Sequence, residues 1–132
     1  MKVLIADDEL ANRLLLRDIL RSMATCDMVT DGEEAVEIFR TDTMRGAPYD
    51  LVLLDIMMPR MDGQQALREI RKAEREAEVP PGQECVVIMV TALDSPKDVV
   101  EAFYQGGCTD YLIKPFTRRS LLAKMEKHGL LG

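Results

Sequence analysis

Apolar residues along this chain fall into short, mostly unbroken runs, and stretches with helical spacing separate them. KVLIA at 2–6, CDMV at 26–29, LVLL at 51–54, VVIMV at 86–90 and DYLI at 110–113 predict five strands. Between them, Ala35, Val36 and Phe39 recur at the spacing of one helix face, and so do Ala66, Leu67 and Ile70. The alternation is a βα repeat. The first, third and fourth runs are continuously apolar, which predicts strands buried on both faces of a parallel sheet flanked by helices. Right-handed crossovers leave a doubly wound sheet or a barrel, and five units are too few for an eight-stranded barrel.

Helix starts are also legible. Asp31 with Glu34 and Asp62 with Gln65 have capping-box spacing, while Ser95, Pro96 and Asp98 place a cap, a first-turn proline and an acid in the favoured order. Gly106 and Gly107 predict the end of the fourth helix. TDTMRGAPYD at 41–50 and EVPPGQE at 78–84 are expected to be loops.

Length and composition then narrow the possibilities. At 132 residues, with 47% hydrophobic and 30% charged, the chain fits one globular domain over 1–132. No apolar run approaches the roughly 18 residues of a membrane span, and the carboxylates in MKVLIADDE come too early for a signal peptide, so the expected location is cytoplasmic. Cys26, Cys85 and Cys108 are widely spaced among apolar residues and are expected to be core thiols. A net charge of −6 and a pI near 4.8 argue against direct binding to nucleic acid or an anionic membrane and favour a protein or small-cation partner. His128 lies in the basic segment KMEKHG, where it would complement a helix dipole rather than catalyse.

One residue interrupts this pattern: Asp55, directly after Leu53 and Leu54. Alone it reads equally well as a turn or cap. It is not alone, because Asp7 and Asp8 follow the first strand, Thr91 ends the fourth and Lys114 ends the fifth. In an open parallel sheet these carboxyl ends share one edge, where ligands bind. Unit charges about 4 Å apart repel by roughly 4 kcal/mol at an effective dielectric near 20, so three crowded carboxylates call for a cation. Oxygen ligands without cysteine or histidine select a hard ion, Mg²⁺. A carboxylate nucleophile, a metal, a lysine and a hydroxyl suit in-line attack on a phosphoryl group.

ADDE at 6–9, LLDIMMPRMDG at 53–63, VTA at 90–92 and YLIKPF at 111–116 together resemble the receiver domain of two-component response regulators. The resemblance spans essentially the whole chain and implies a five-stranded, flavodoxin-like sheet of order 2-1-3-4-5. It also implies Asp55 as phosphoacceptor, Asp7 and Asp8 with Asp55 and the Met57 main-chain carbonyl as Mg²⁺ ligands, and Thr91 and Lys114 as phosphoryl contacts. Tyr111 would be the aromatic switch partner of Thr91, although a half-buried strand residue would look the same. A cis Lys114–Pro115 bond is implied as well. The expected partners are a histidine kinase or phosphotransfer protein and a downstream protein target, met on the face of the fourth helix, fifth strand and fifth helix. The chain would be a monomer, with dimerisation on phosphorylation left open, and a signalling module rather than an enzyme with turnover.

Three alternatives stand beside this. A phosphatase using the same aspartyl chemistry would resemble a pattern with a second aspartate two residues past the nucleophile, where this chain has Met57. A receiver fragment of a longer DNA-binding regulator would share every motif, though the ending KMEKHGLLG reads as a finished helix with a short tail. A receiver fold that accepts no phosphate is disfavoured, because the residues the chemistry needs are present. On the family pattern, Met57 and Leu93 flank the path of hydrolytic water, and two apolar side chains there predict slow loss of phosphate.

Overall fold

In the computed structural model, which describes residues 1–92, 96–102 and 106–131, strands and helices alternate throughout. The elements are β1 (Lys2–Ala6), α1 (Leu10–Leu20), β2 (Thr25–Val29), α2 (Gly32–Met44), β3 (Leu51–Asp55), α3 (Gly63–Glu76), β4 (Val86–Ala92), α4 (Pro96–Glu101), β5 (Asp110–Lys114) and α5 (Arg118–Lys127). The strands pair in parallel in the order β2-β1-β3-β4-β5, the doubly wound sheet expected. The three strands read as doubly buried are the three interior ones. Among the described residues no helix is long and apolar enough to cross a membrane.

Alternate residues of those strands feed two cores. Leu4, Val52, Leu54, Val87 and Met89 pack with Ala35 and Phe39 of α2 and with Ala66, Leu67 and Ile70 of α3. Val3, Ile5, Leu51, Leu53, Ile88 and Val90 face the other way, onto Leu16, Ile19 and Leu20 of α1 and Leu121 and Met125 of α5. Unbroken apolar runs are therefore needed, since either face of these strands is covered.

Several local details differ from the sequence reading. The first four residues of the expected 41–50 loop continue α2, which ends at Arg45 and at Gly46 with its positive φ of 77°. Thr41 to Thr43 gave that turn a loop-like composition, yet a left-handed glycine is the physical stop. The Asp31 side chain accepts from Glu34 N at 2.8 Å and Asp62 from Gln65 N at 2.9 Å. The Glu34 carboxylate, however, accepts from Thr30 Oγ1 instead of returning to its cap. The reciprocated capping box is Thr117 with Ser120, which a search for Glu or Gln at the third position overlooks. Pro96 and Asp98 begin α4, whereas Ser95 lies outside the described residues. Cys85 and Cys108 are buried, but Cys26 is only half-buried because β2 is an edge strand. His128 caps α5 and sits with Nε2 2.8 Å from Asp110 Oδ2, tying the last helix to the start of β5.

A buried ion pair closes the amino edge of the sheet. Arg71 Nη1 donates to Glu74 Oε1 at 2.6 Å and to the Cys85 carbonyl at 2.8 Å, and Cys85 N donates to Glu74 Oε2 at 2.6 Å. Removing one member of such a pair strands the other charge in the interior. Arg71→Met should therefore lower the unfolding free energy by about 3 kcal/mol in urea titrations. A loss under about 1 kcal/mol would mean that the Cys85 amide alone suffices for the Glu74 carboxylate.

Candidate functional site

One interior strand ends in a carboxylate and another is followed directly by a pair of them. Asp55 is the last residue of β3, and the chain then loops back so closely that Gly63 N donates to the Ile56 carbonyl at 2.8 Å. A Cβ on Gly63 would lie 2.1 Å from the Asp55 carbonyl oxygen, so only glycine lets α3 begin there. Asp7 follows β1, and its amide still pairs with the Val29 carbonyl at 3.2 Å.

The geometry brings Asp7, Asp8 and Asp55 together. Ligand oxygens of these three all lie within 4.8 Å of one another, with Asp7 and Asp55 buried and Asp8 exposed. Asp7 Oδ1 accepts from Glu9 N at 2.9 Å, whereas Oδ2 is buried and has no hydrogen-bond partner among the described residues. Asp55 Oδ1 accepts from Met57 N at 3.3 Å. Lys114 Nζ stands 3.4 Å from Asp55 Oδ2 and 3.6 Å from Asp7 Oδ2, and the Lys114–Pro115 peptide is cis.

Charge and burial act on Asp55 in the same direction. Burial first, and then the Asp7 carboxylate, push its carboxyl up to about 6, while Lys114 and the Met57 amide pull it down. The same two carboxylates hold the Lys114 ammonium above its ordinary range, against a desolvation that lowers it.

Thr91 and Tyr111 sit beside this cluster. Thr91 is buried one residue beyond Val90, the register partner of Asp55, and its hydroxyl makes only a long 3.4 Å contact with the Ala92 carbonyl. Tyr111 is half-buried and lines, with Thr91, Pro96, Val99, Val100 and Ile113, an apolar groove of about 260 Å³. Lys124 Nζ lies 4.7 Å over the Tyr111 ring, a cation–π contact the sequence gave no reason to expect. The Met57 side chain is 72% exposed at the rim, so it does not pack over the carboxylates, and Leu93 lies outside the described residues.

Sequence reasoning also overlooked Arg13. Its Nη1 donates to the Asp7 carbonyl at 2.8 Å and fixes the backbone that carries the acidic pair. The signal was available, since a residue in the first turns of α1 faces the loop preceding that helix.

These oxygen donors suit a hard divalent ion: a buried carboxylate oxygen accepts no hydrogen bond, no cysteine or histidine joins the cluster among the described residues, and Asp8 is exposed. Asp7, Asp8 and Asp55 are the side chains that would hold it.

Comparison with known proteins agrees with this geometry. The family model for the response regulator receiver domain matches residues 3–126. The probable transcriptional regulator ycf27 of Cyanidium caldarium is 38% identical over 125 residues, a match covering 94% of this chain but 44% of that protein. The chain thus spans less than half the length of that curated relative. The receiver domain of the Saccharomyces cerevisiae response regulator Ssk1, solved with the histidine phosphotransfer protein Ypd1, superposes with a TM-score of 0.81 at 27% identity and covers 98% of this chain and 88% of that one. The receiver domain of a Pseudomonas aeruginosa sensor histidine kinase, with magnesium in its active-site cleft, gives 0.76 at 31% identity and covers 96% and 94%. By motif, topology and this match over nearly its whole length, the chain belongs to the response regulator receiver domain family.

Proposed function

We propose that the chain is a phosphorylation-controlled switch in which Asp55 accepts a phosphoryl group from the phosphohistidine of a kinase or phosphotransfer protein. The observation that carries this reading is the buried pair Asp7 and Asp55, crowded against Lys114 at the carboxyl edge of the sheet, with Asp7 Oδ2 facing the ammonium but accepting no hydrogen bond among the described residues. Asp55 supplies the nucleophilic oxygen. The bond from phosphorus to the histidine nitrogen breaks as the bond to Asp55 forms, and the phosphoryl oxygens gain Lys114 and the Thr91 hydroxyl as partners. A Mg²⁺ held by Asp7, Asp8, Asp55 and the Met57 carbonyl would neutralise charge on those oxygens. Movement of Thr91 then changes the groove it shares with Tyr111, and the surface of α4, β5 and α5 reports it to a protein partner.

Turnover of phosphate esters is poorly supported, because Met57 occupies the position from which a second aspartate would act as acid and base, and its thioether cannot. A reading of the surrounding protein is favoured by the relative's length: the chain would be the phosphorylated half of a longer transcriptional regulator. Nucleic acid would then be met by the other half, in keeping with the net charge of −6 here.

Incubation with acetyl phosphate and Mg²⁺ should add one phosphoryl group to the intact mass of the wild type and none to Asp55→Asn. An unmodified wild type, or equal modification of both, removes the proposal.

The electrostatics give a second check. Asp55 titrates near 6 when folded against 3.8 as a free side chain, so the folded state holds the proton more tightly. Its stabilising contribution is complete below about pH 4 and is lost as pH rises through about 6, at most roughly 3 kcal/mol for such a shift. In urea titrations without metal, Asp55→Asn should match wild type near pH 4 and exceed it near pH 7.5. Parallel curves would show that Asp55 carries no such strain.

Mg²⁺ should raise the melting temperature of the wild type and do so markedly less for Asp8→Asn, since a ligand bound only by the folded state stabilises it by mass action. A variant that responded like wild type would remove Asp8 from the ligand set.

A further inference from the structure

Helix α4 is short, none of Pro96–Glu101 is buried and Val100 is 55% exposed, and its one anchor in the core among the described residues is Ala102, directly after it. Helix α3 supplies the support. Gln64, Leu67 and Arg71 follow one another at i, i+3 and i+7 and form one stripe on α3. At the far end of the stripe the grip is firm. Arg71, oriented by Glu74, donates to the Gly107 carbonyl at 2.9 Å, and a Cβ on Gly106 would strike Leu67 Cδ2 at 2.4 Å.

At the near end the grip is a single amide. Gln64 is 5% exposed, and its Nε2 donates to the carbonyl of Asp98, within α4. Its Oε1 is buried and has no hydrogen-bond partner among the described residues. Turning the amide over gives no relief, because two oxygens would then face each other across the contact with Asp98. A buried acceptor without a donor raises the free energy of the arrangement that contains it. Among the described residues, the Gln64 amide makes the one side-chain hydrogen bond that reaches α4. Ala102 and its carbonyl, which accepts from Cys108 N at 3.1 Å, hold the far end, and the Gln64 contact leaves one buried oxygen unsatisfied.

Gln64 is also adjacent to the phosphoacceptor loop. It follows Gly63, whose backbone lies against the Asp55 carbonyl and donates to the Ile56 carbonyl at 2.8 Å. A shift of the backbone at 55–56 is passed to Gln64 through contacts too tight to absorb it.

The geometry points to Gln64 as a positioning residue: a releasable latch whose buried amide ties α4 to the Asp55 loop and lets go when that loop moves. Its opening by phosphorylation rests on the function proposed above, whereas the latch itself does not. The preferred substitution keeps length and apolar volume but removes the donor and the stranded oxygen, which is Gln64→Met; Gln64→Leu is the second variant.

The test is amide hydrogen exchange on the unphosphorylated protein. In both variants the amides of Val100 to Ala102 should exchange faster, by up to about fivefold, because the lost bond of about 1 kcal/mol is offset only in part by removal of the stranded oxygen. Those of β1 and β3 should keep wild-type rates. In the wild type, beryllofluoride with Mg²⁺ should bring the same α4 amides to the rates of the variants. Wild-type rates for α4 in both variants overturn the latch. Acceleration spread equally over β1, β3 and α4 also overturns it, because it would make Gln64 a packing residue only. Failure of the phosphorylation reading shows separately, as a wild type that gains no mass from acetyl phosphate while the substitutions still loosen α4.

Discussion

Like charges held together away from water set the terms for the rest of this domain. Asp7 and Asp55 are buried within 4.8 Å of each other and of Asp8, a spacing at which unit charges repel by roughly 3 to 4 kcal/mol even at an effective dielectric near 20. One ammonium, that of Lys114, lies within 3.6 Å of both buried carboxylates. It offsets burial and repulsion only in part, since desolvation first and the Asp7 charge second still hold the Asp55 carboxyl up at about 6. A site in this condition gains from any ligand that adds positive charge. A phosphoryl group on Asp55 would exchange one carboxylate charge for nearly two on the phosphoryl oxygens, so it would deepen the demand for a hard cation and for the Lys114 ammonium instead of relieving it.

Such a site persists only on a scaffold that cannot relax around it. The interior strands provide one, because β1, β3 and β4 are covered on both faces and close-packed cores yield little. Register then places the groups: Asp55 lies beside Val90, Thr91 beside Ile113 and Ala92 beside Lys114. The absence of a Cβ at Gly63 lets α3 start directly against Asp55. Asp55 and Lys114 end their strands, Thr91 is next to last in β4, and Asp7 and Asp8 directly follow β1, so backbone pairing at one sheet edge does most to fix the distances between them.

That arrangement explains what the sequence revealed. A strand covered on both faces must be apolar without interruption, so the three interior strands and the odd carboxylates that end or follow two of them could be read directly. Asp7, Asp8, Asp55 and Lys114 meet as expected because parallel pairing gives them a common edge. Boundaries were harder. Ala92 lies past the expected end of the fourth strand yet pairs within it, and Thr41 to Met44 look like loop but continue α2. Least legible were groups whose partners are distant in sequence. Arg71 finds its acceptor at Gly107, 36 residues on, Gln64 reaches Asp98 across 34, and Lys124 covers a ring on another element. Periodicity identifies the face a residue occupies but not the atom it meets there.

The same contrast between local and distant contacts bears on how a signal could leave the site. A core this closely packed changes by discrete rearrangement, so the responsive part has to be an element attached by few interactions. Helix α4 fits that description, since none of Pro96–Glu101 is buried and one side-chain hydrogen bond, from Gln64, reaches it among the described residues, and it borders the groove shared by Thr91 and Tyr111. β5 and α5 differ, since Asp110 joins them through Lys124 at 3.0 Å and His128 at 2.8 Å. Within the face expected to meet a partner, one element is therefore free to move while the other two act as its reference. A partner binding across all three would sense the position of α4 against a fixed surface, which is how a displacement too small to disturb the sheet can alter an affinity.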